Sequence, residues 1–213
     1  MIDKNVIKTF FRNLNSANIG YLLIRNINDE LPGNLDDGKD IDILIDKNHE
    51  KKLEIFLEKE KLIEVKHPSR KDTFLYNVTP FRFFKNSRGL VIDISYQLCC
   101  RSLNAREWIC LDQKIQGNAW RNQLKKGNSE FQYQGLNNNE YFVCLLTRCI
   151  FDKKRFTHVY QKEIKKYLNK IDEEEVKAML ELVFFKYTPT LLKLIKANRF
   201  DGIIKSYITF KEY

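Results

Sequence analysis

The sequence predicts an α+β fold: a small mixed β-sheet forms an N-terminal lobe, and a mainly helical lobe follows it. Three observations carry this. Short β-branched and apolar runs ("YLLIRN", "DIDILID", "LIEVKH", "DTFLYNVTP", "GLVIDISYQL") cluster before about Arg101, turn residues such as Pro68, Pro80 and Gly89 separate them, and helical periodicity takes over from Asn137. The lobes are therefore expected to span 1–101 and 102–213.

The elements follow in order. In the first segment Val6, Ile7, Phe10, Phe11 and Leu14 fall at helical spacing behind Asp3, a suitable N-cap. "YLLIRN" then reads as a strand, and a polar loop with Pro32, Gly33 and Gly38 leads to the strand "DIDILID". The stretch from Asn48 to Lys61 gathers Leu53, Phe56 and Leu57 on one face, so a surface helix is expected. The three later runs read as strands, with "FRFFK" extending the meander. In the second lobe, "EYFVCLLTRCIF", "FTHVYQKEIKKYL", "EEEVKAMLELVFF" and "PTLLKLIKA" read as helices. Asp172 is expected to cap the third with Glu175 completing a capping box, and Thr188 to cap the fourth with Pro189 in the first helical position.

A chain of 213 residues, 43% hydrophobic, is long enough for one sizeable core or two lobes that share one. It shows no secretory leader pattern and no apolar run of membrane-spanning length, so a soluble, cytoplasmic protein is expected. Five cysteines without a CxxC pair read as small buried apolar groups rather than a zinc site or disulfide framework. The net charge of +9 favours anionic partners: nucleotide phosphates, nucleic acid or a phosphorylated acceptor.

The informative stretch is "GNLDDGKDIDILID", Gly33 to Asp46. Its glycine and lysine spacing imitates a P-loop, but Asp40 stands where a Ser or Thr should ligate magnesium. Asp36 and Asp37 would repel triphosphate oxygens, and a strand follows where a helix is required. The alternative is a carboxylate pair: residues i and i+2 of a strand share a face with Cα atoms roughly 6–7 Å apart, so Asp40 and Asp42 project together. Such a pair can hold divalent cations for phosphoryl transfer. Asp93, acidic among Val91, Ile92 and Ile94, offers a third carboxylate, and its place in an apolar strand calls for a partner, a metal or solvent.

With the Asp pair in "DIDILID", a helix after it and the later Asp of "VIDIS", the region from about Tyr21 to Gln97 resembles the DNA polymerase beta-type nucleotidyltransferase superfamily, particularly its small bacterial members. The resemblance implies that Asp40, Asp42 and Asp93 bind Mg2+, with Mn2+ the alternative, and that Asp93 acts as general base. The donor would be a nucleoside triphosphate, attacked in line at its α-phosphorus by a hydroxyl of an acceptor, with pyrophosphate leaving. The superfamily's Gly-Gly or Gly-Ser pair is absent as such; Arg25, Asn26, Gly38 and Lys39 occupy the corresponding approach to the Asp pair. By the same likeness, basic residues of "LLTRCIFDKKRF", namely Arg148, Lys153 and Lys154, are expected to reach the triphosphate. Small members of this kind are associated with surface-polysaccharide and antibiotic-modifying functions.

Blander readings compete. The Asp pair can be a solvated strand start, Arg25 a surface or ion-pairing arginine, and the Lys153–Arg155 run a solvated interhelix turn. His49, His67 and His158 show no metal spacing, and Phe81, Phe83 and Phe84 read as packing before base stacking. Two other functions also use these features: a nucleotide-sugar glycosyltransferase with a DxD motif, and an inactive nucleic-acid-binding or toxin-antitoxin-type protein on the same scaffold. Only 39 residues precede Asp40, which is short for the first.

Overall fold

The structure, a computed structural model, describes residues 1–67, 74–104 and 106–211. It is an α+β fold. Helix α1 (Lys4–Ser16) precedes strand β1 (Tyr21–Leu23), and β2 (Ile41–Ile45) is followed by helix α2 (Glu50–Lys59). Strands β3 (Ile63–Glu64), β4 (Phe74–Tyr76), β5 (Arg82–Lys85), β6 (Val91–Ser95), β7 (Cys99–Arg101) and β8 (Glu107–Cys110) lead to helix α3 (Gln113–Arg121). The hairpin β9 (Leu124–Gly127) and β10 (Gln132–Gly135) precedes the helical region. There α4 (Asn138–Thr147), α5 (His158–Leu168), α6 (Glu173–Phe184), α7 (Thr188–Lys196) and α8 (Ile203–Thr209) complete the chain.

Among the described residues, the main sheet runs β3-β5-β6-β2-β1-β10-β9, with β2 parallel to β6, β1 parallel to β10 and the other neighbours antiparallel. Alternation along β2 divides its two faces. Ile41, Ile43 and Ile45 turn toward α1 and α2, whereas Leu44 joins Leu22 in the core shared with the later helices. The first core is tied by aromatic edges: Phe10 meets Phe56 of α2 at 5.6 Å between ring centroids, and Phe11 meets Phe131 beside β10 at 5.4 Å. Phe10, Phe11 and Phe56 are among the residues whose helical spacing predicts α1 and α2, and Asp3 caps as expected, accepting from Asn5 N at 2.8 Å.

Several local expectations are corrected. β4 leaves the meander and pairs in parallel with β8 in a separate sheet of order β4-β8-β7; Pro68, Asp72 and Thr73 of the predicted strand and turn lie outside the described residues. The hairpin β9–β10 enters the main sheet from a stretch with no predicted strand, because its alternation is polar and its partners are remote in sequence. Thr188 does not cap α7: the preceding turn is already helical, so Thr188 is buried inside the helix and its hydroxyl finds no hydrogen-bond partner among the described residues. Asp172 caps α6 by accepting from Glu175 N at 3.0 Å, but Glu175 does not return the bond. Asn139 takes that place, accepting from Asp172 N at 2.9 Å and donating to Glu175 Oε2 at 2.6 Å. Of the cysteines, Cys100 and Cys149 are buried while Cys99, Cys110 and Cys144 are half-buried, with Cys99 and Cys110 Sγ atoms 3.9 Å apart as cross-strand partners. Burial raises the Cys144 and Cys149 thiols to about 12, in keeping with a packing role. No helix among the described residues is long and apolar enough to cross a membrane.

Leu22 lies fully buried at the centre of the sheet, where the strands meet the helical core. Leu22→Ala is expected to cost about 2–5 kcal/mol, the range for a buried leucine truncated in a core that cannot collapse around it, read as a lower denaturant midpoint.

Candidate active site

The site begins with strand register. β2 and β6 are parallel neighbours in which Asp42 and Asp93 are direct Cα partners. Ile41 and Ile43 flank Asp42, Ile92 and Ile94 flank Asp93, and all four isoleucines face α1 and α2, so both carboxylates point to the opposite face. Asp40, one alternation before Asp42, reaches the same patch from just ahead of β2. It is delivered by a turn in which Lys39 N donates to Asp36 O at 3.2 Å and Gly38 takes a left-handed φ of 76° that a side chain would strain.

Asp42 is gripped by Arg25. The Arg25 Nε donates to Asp42 Oδ2 at 3.0 Å, and a second guanidinium nitrogen binds Oδ1, a two-pronged pair. Burial works against the arginine's charge, yet Asp42 more than offsets it and holds the guanidinium's pKa above its ordinary value.

Opposite the strands, α4 does not end at Thr147 but widens into a π-turn, Arg148–Asp152, closed by Lys153 N donating to Arg148 O at 2.8 Å. The wide turn presents Arg148 and Lys153 to the cleft. Arg148 is held by Tyr160, whose hydroxyl accepts from Nε at 2.8 Å, and by Asp152 at 3.6 Å. Asp152 in turn accepts from Arg101 N at 2.8 Å, linking the turn to β7. The nearby charge of Arg148, then burial and Arg25, lower the pKa of Lys153.

Two depressions meet here. One is an open groove lined by Lys39, Asp40, Asp42, Arg25, Arg148, Lys153, Arg155 and Tyr160. The other, smaller, is lined by Asp42, Asp93, Phe81, Gln97, Cys99, Trp108 and Asp152. Arg25, Asp42 and Arg148 belong to both and form the divide between them.

Of the residues singled out in the sequence, the fold brings together Arg25, Lys39, Asp40, Asp42, Asp93, Arg148 and Lys153. Three lie elsewhere. Asn26 supports a loop, accepting from Leu31 N at 2.9 Å and donating to the Tyr133 hydroxyl at 3.4 Å. Gly38 is exposed in its turn, and Lys154 donates to Leu103 O at 2.6 Å on another surface. Lys39 pairs with Glu30 at the groove's rim. Sequence reasoning missed His67, whose Nε2 is 3.7 Å from Asp93 Oδ2. One ligand atom each from Asp40, His67 and Asp93 lie within 4.8 Å of one another. No spacing rule connects a histidine after an edge strand to carboxylates on two others; its only signal is its place at a strand end. Phe81 and Trp108, with ring centroids 4.9 Å apart, also enter the site.

Arg25→Met removes the two-pronged guanidinium contact from Asp42, which lies beside two other carboxylates. A stability loss of roughly 2–3 kcal/mol is expected, below the 3–5 kcal/mol of a fully buried pair because the two side chains keep 17% and 16% exposure. Adding Asp42→Asn should return much of it in a double-mutant cycle. Lys153 gives the opposite sign. A depressed lysine pKa means that its protonated form disfavours the folded state, a penalty present below the folded pKa and relieved as pH rises through it. Lys153→Met is therefore expected to raise the melting temperature slightly at neutral pH and low salt, with the gain fading at high salt.

No protein-family model matches the chain, and no curated protein matches it. Among solved structures, four chains match. One is the antibiotic-resistance factor ANT(2'')-Ia, whose solution structure is described as revealing substrate-regulated conformation dynamics. It is 8% identical, has a TM-score of 0.48, and the match covers 92% of this chain and 96% of that one. At that identity and score it assigns neither family nor activity to this protein.

Proposed function

We propose that the protein is a metal-dependent nucleotidyltransferase that moves a nucleoside monophosphate from a triphosphate to a hydroxyl-bearing acceptor, a small molecule or glycan precursor. The observation that carries this reading is the register pairing of Asp42 with Asp93 on parallel strands, with Asp42 at the divide between a cation-lined groove and a second depression and Asp93 lining the second. The donor set fits magnesium: Asp40, Asp42 and Asp93 offer hard carboxylate oxygens in one patch. When bound, the metal would supply charge neutralisation at the α-phosphate and leaving pyrophosphate.

The chain's own groups divide the remaining work. Arg148, Lys153 and Lys39 face the open groove and would hold the triphosphate tail, Arg148 by its planar fork and the lysines as point charges. The smaller depression, with Phe81, Trp108 and Gln97, would hold the acceptor. Asp93 lines that depression beside Asp42 and would take the acceptor hydroxyl's proton as its oxygen attacks phosphorus in line and the bond to pyrophosphate breaks. Arg25 orients Asp42 and balances part of the carboxylate charge.

The test is titration calorimetry of the four nucleoside triphosphates with Mg2+, with EDTA, and against Asp40→Asn combined with Asp42→Asn. One triphosphate is expected to bind in a metal-dependent way that the double substitution abolishes. Asp93→Asn is expected to lower pyrophosphate release with an acceptor panel by about 10²-fold or more, the usual contribution of a general base. A folded protein that binds none of the four would refute the assignment.

A further inference from the structure

We propose that His67 is a ligand of the metal in this cleft and that its imidazole makes the centre prefer Mn2+ to Mg2+. The inference rests on the nucleotidyl-transfer reading for the use of the metal, while the binding itself is separable.

Three chain segments that are distant in sequence deliver the donors. Asp40 arrives ahead of β2, Asp93 from within β6, and His67 from the chain leaving β3. Their ligand atoms fall within 4.8 Å of one another. A cation held at about 2.1 Å from each donor brings donors to about 3–4 Å apart, so a side-chain adjustment of about 1 Å closes the set. The histidine is seated for this. Its ring meets Phe83 edge-on at 4.6 Å, and Phe83 is the cross-strand partner of Asp93 on β5, so the two lie on one face of the sheet. Asp93 and His67 already approach to 3.7 Å, and Asp40 converges on the same point.

The donor types decide the metal. Two carboxylates alone suit Mg2+, which prefers oxygen and keeps much of its water. A neutral imidazole is a poor ligand for so hard an ion and a serviceable one for Mn2+, which also accepts carboxylate, phosphate and octahedral geometry. A mixed set of two oxygens and one nitrogen therefore separates two ions that an all-carboxylate site would hold alike.

The experiment titrates the full chain with Mn2+ by electron paramagnetic resonance, competes it with Mg2+, and reads nitrogen-14 modulation of the bound Mn2+ signal. Expected for the wild type are a directly coordinated nitrogen and an affinity for Mn2+ about tenfold or more above that for Mg2+. His67→Gln should lose the nitrogen signature and most of that preference, His67→Glu should restore tight binding with the ratio shifted toward Mg2+, and His158→Gln, on an exposed helix start, should change nothing. Bound Mn2+ without nitrogen coupling, or coupling that survives His67→Gln, would overturn the assignment while leaving the nucleotidyl-transfer reading intact. If the folded wild type binds neither ion, the ligand assignment falls, while the nucleotidyl-transfer reading is decided by the calorimetry in which triphosphate and metal are present together. Because the wild-type spectrum alone decides whether a nitrogen is coordinated, the result does not depend on every variant folding.

Discussion

The site depends on the parallel register of β2 against β6, which sets Asp42 directly beside Asp93. A slip of one residue would send one carboxylate into the isoleucine layer under α1 and α2 and bring an isoleucine to the cleft. The same hydrophobic alternation that makes the sheet stable thus fixes the spacing of the acids. Adjacent like charges are unfavourable, and the fold answers them with Arg25, itself placed just beyond β1, whose pairing with β2 aligns Leu23 with Ile43. The charge pattern and the apolar pattern are therefore one constraint, and disturbing either disturbs the other.

The helical region supplies the opposite charge by a different device. An ordinary α-helical end would rotate Arg148 and Lys153 away from each other, whereas the π-turn after α4 carries both toward the strands and anchors Arg148 through Tyr160 and Asp152. Crowding of these cations lowers the pKa of Lys153, so part of the folded state's free energy is held as repulsion. An anion settling between them relieves it, a common signature of a surface shaped for a ligand rather than for stability.

Much of this was legible in the sequence, and the limits have physical causes. The α1 and α2 faces follow from spacing alone, since burying a helix side requires a 3.6-residue period and Phe10, Phe11, Leu53 and Phe56 supply it. The Asp40–Asp42 pair is legible because i and i+2 share a strand face whatever the tertiary fold. Its pairing with Asp93 was an inference about composition, and the register that joins them is a non-local fact. His67, the β9–β10 hairpin and the separate β4–β8 pairing are non-local in the same sense: each depends on which strands meet, and nothing in a short window encodes that. Thr188 shows the converse failure, a sound local signal for a cap overridden because the preceding residues had already entered a helical turn.

The charge of the whole protein and the charge of the cleft pull in different directions, and the difference bears on how a ligand would enter. A net charge of +9 draws phosphates from a distance, but a bare triphosphate reaching the groove would meet Asp40 and Asp42 as well as Lys153 and Arg148. A bare divalent cation would find the carboxylates but also the guanidinium of Arg25. Each half of the site repels what the other half attracts, and a metal–triphosphate complex presents both charges in the matching order. On the proposed reading, metal and nucleotide would therefore raise each other's affinity, because coupling between two ligands is reciprocal and each removes the repulsion that limits the other.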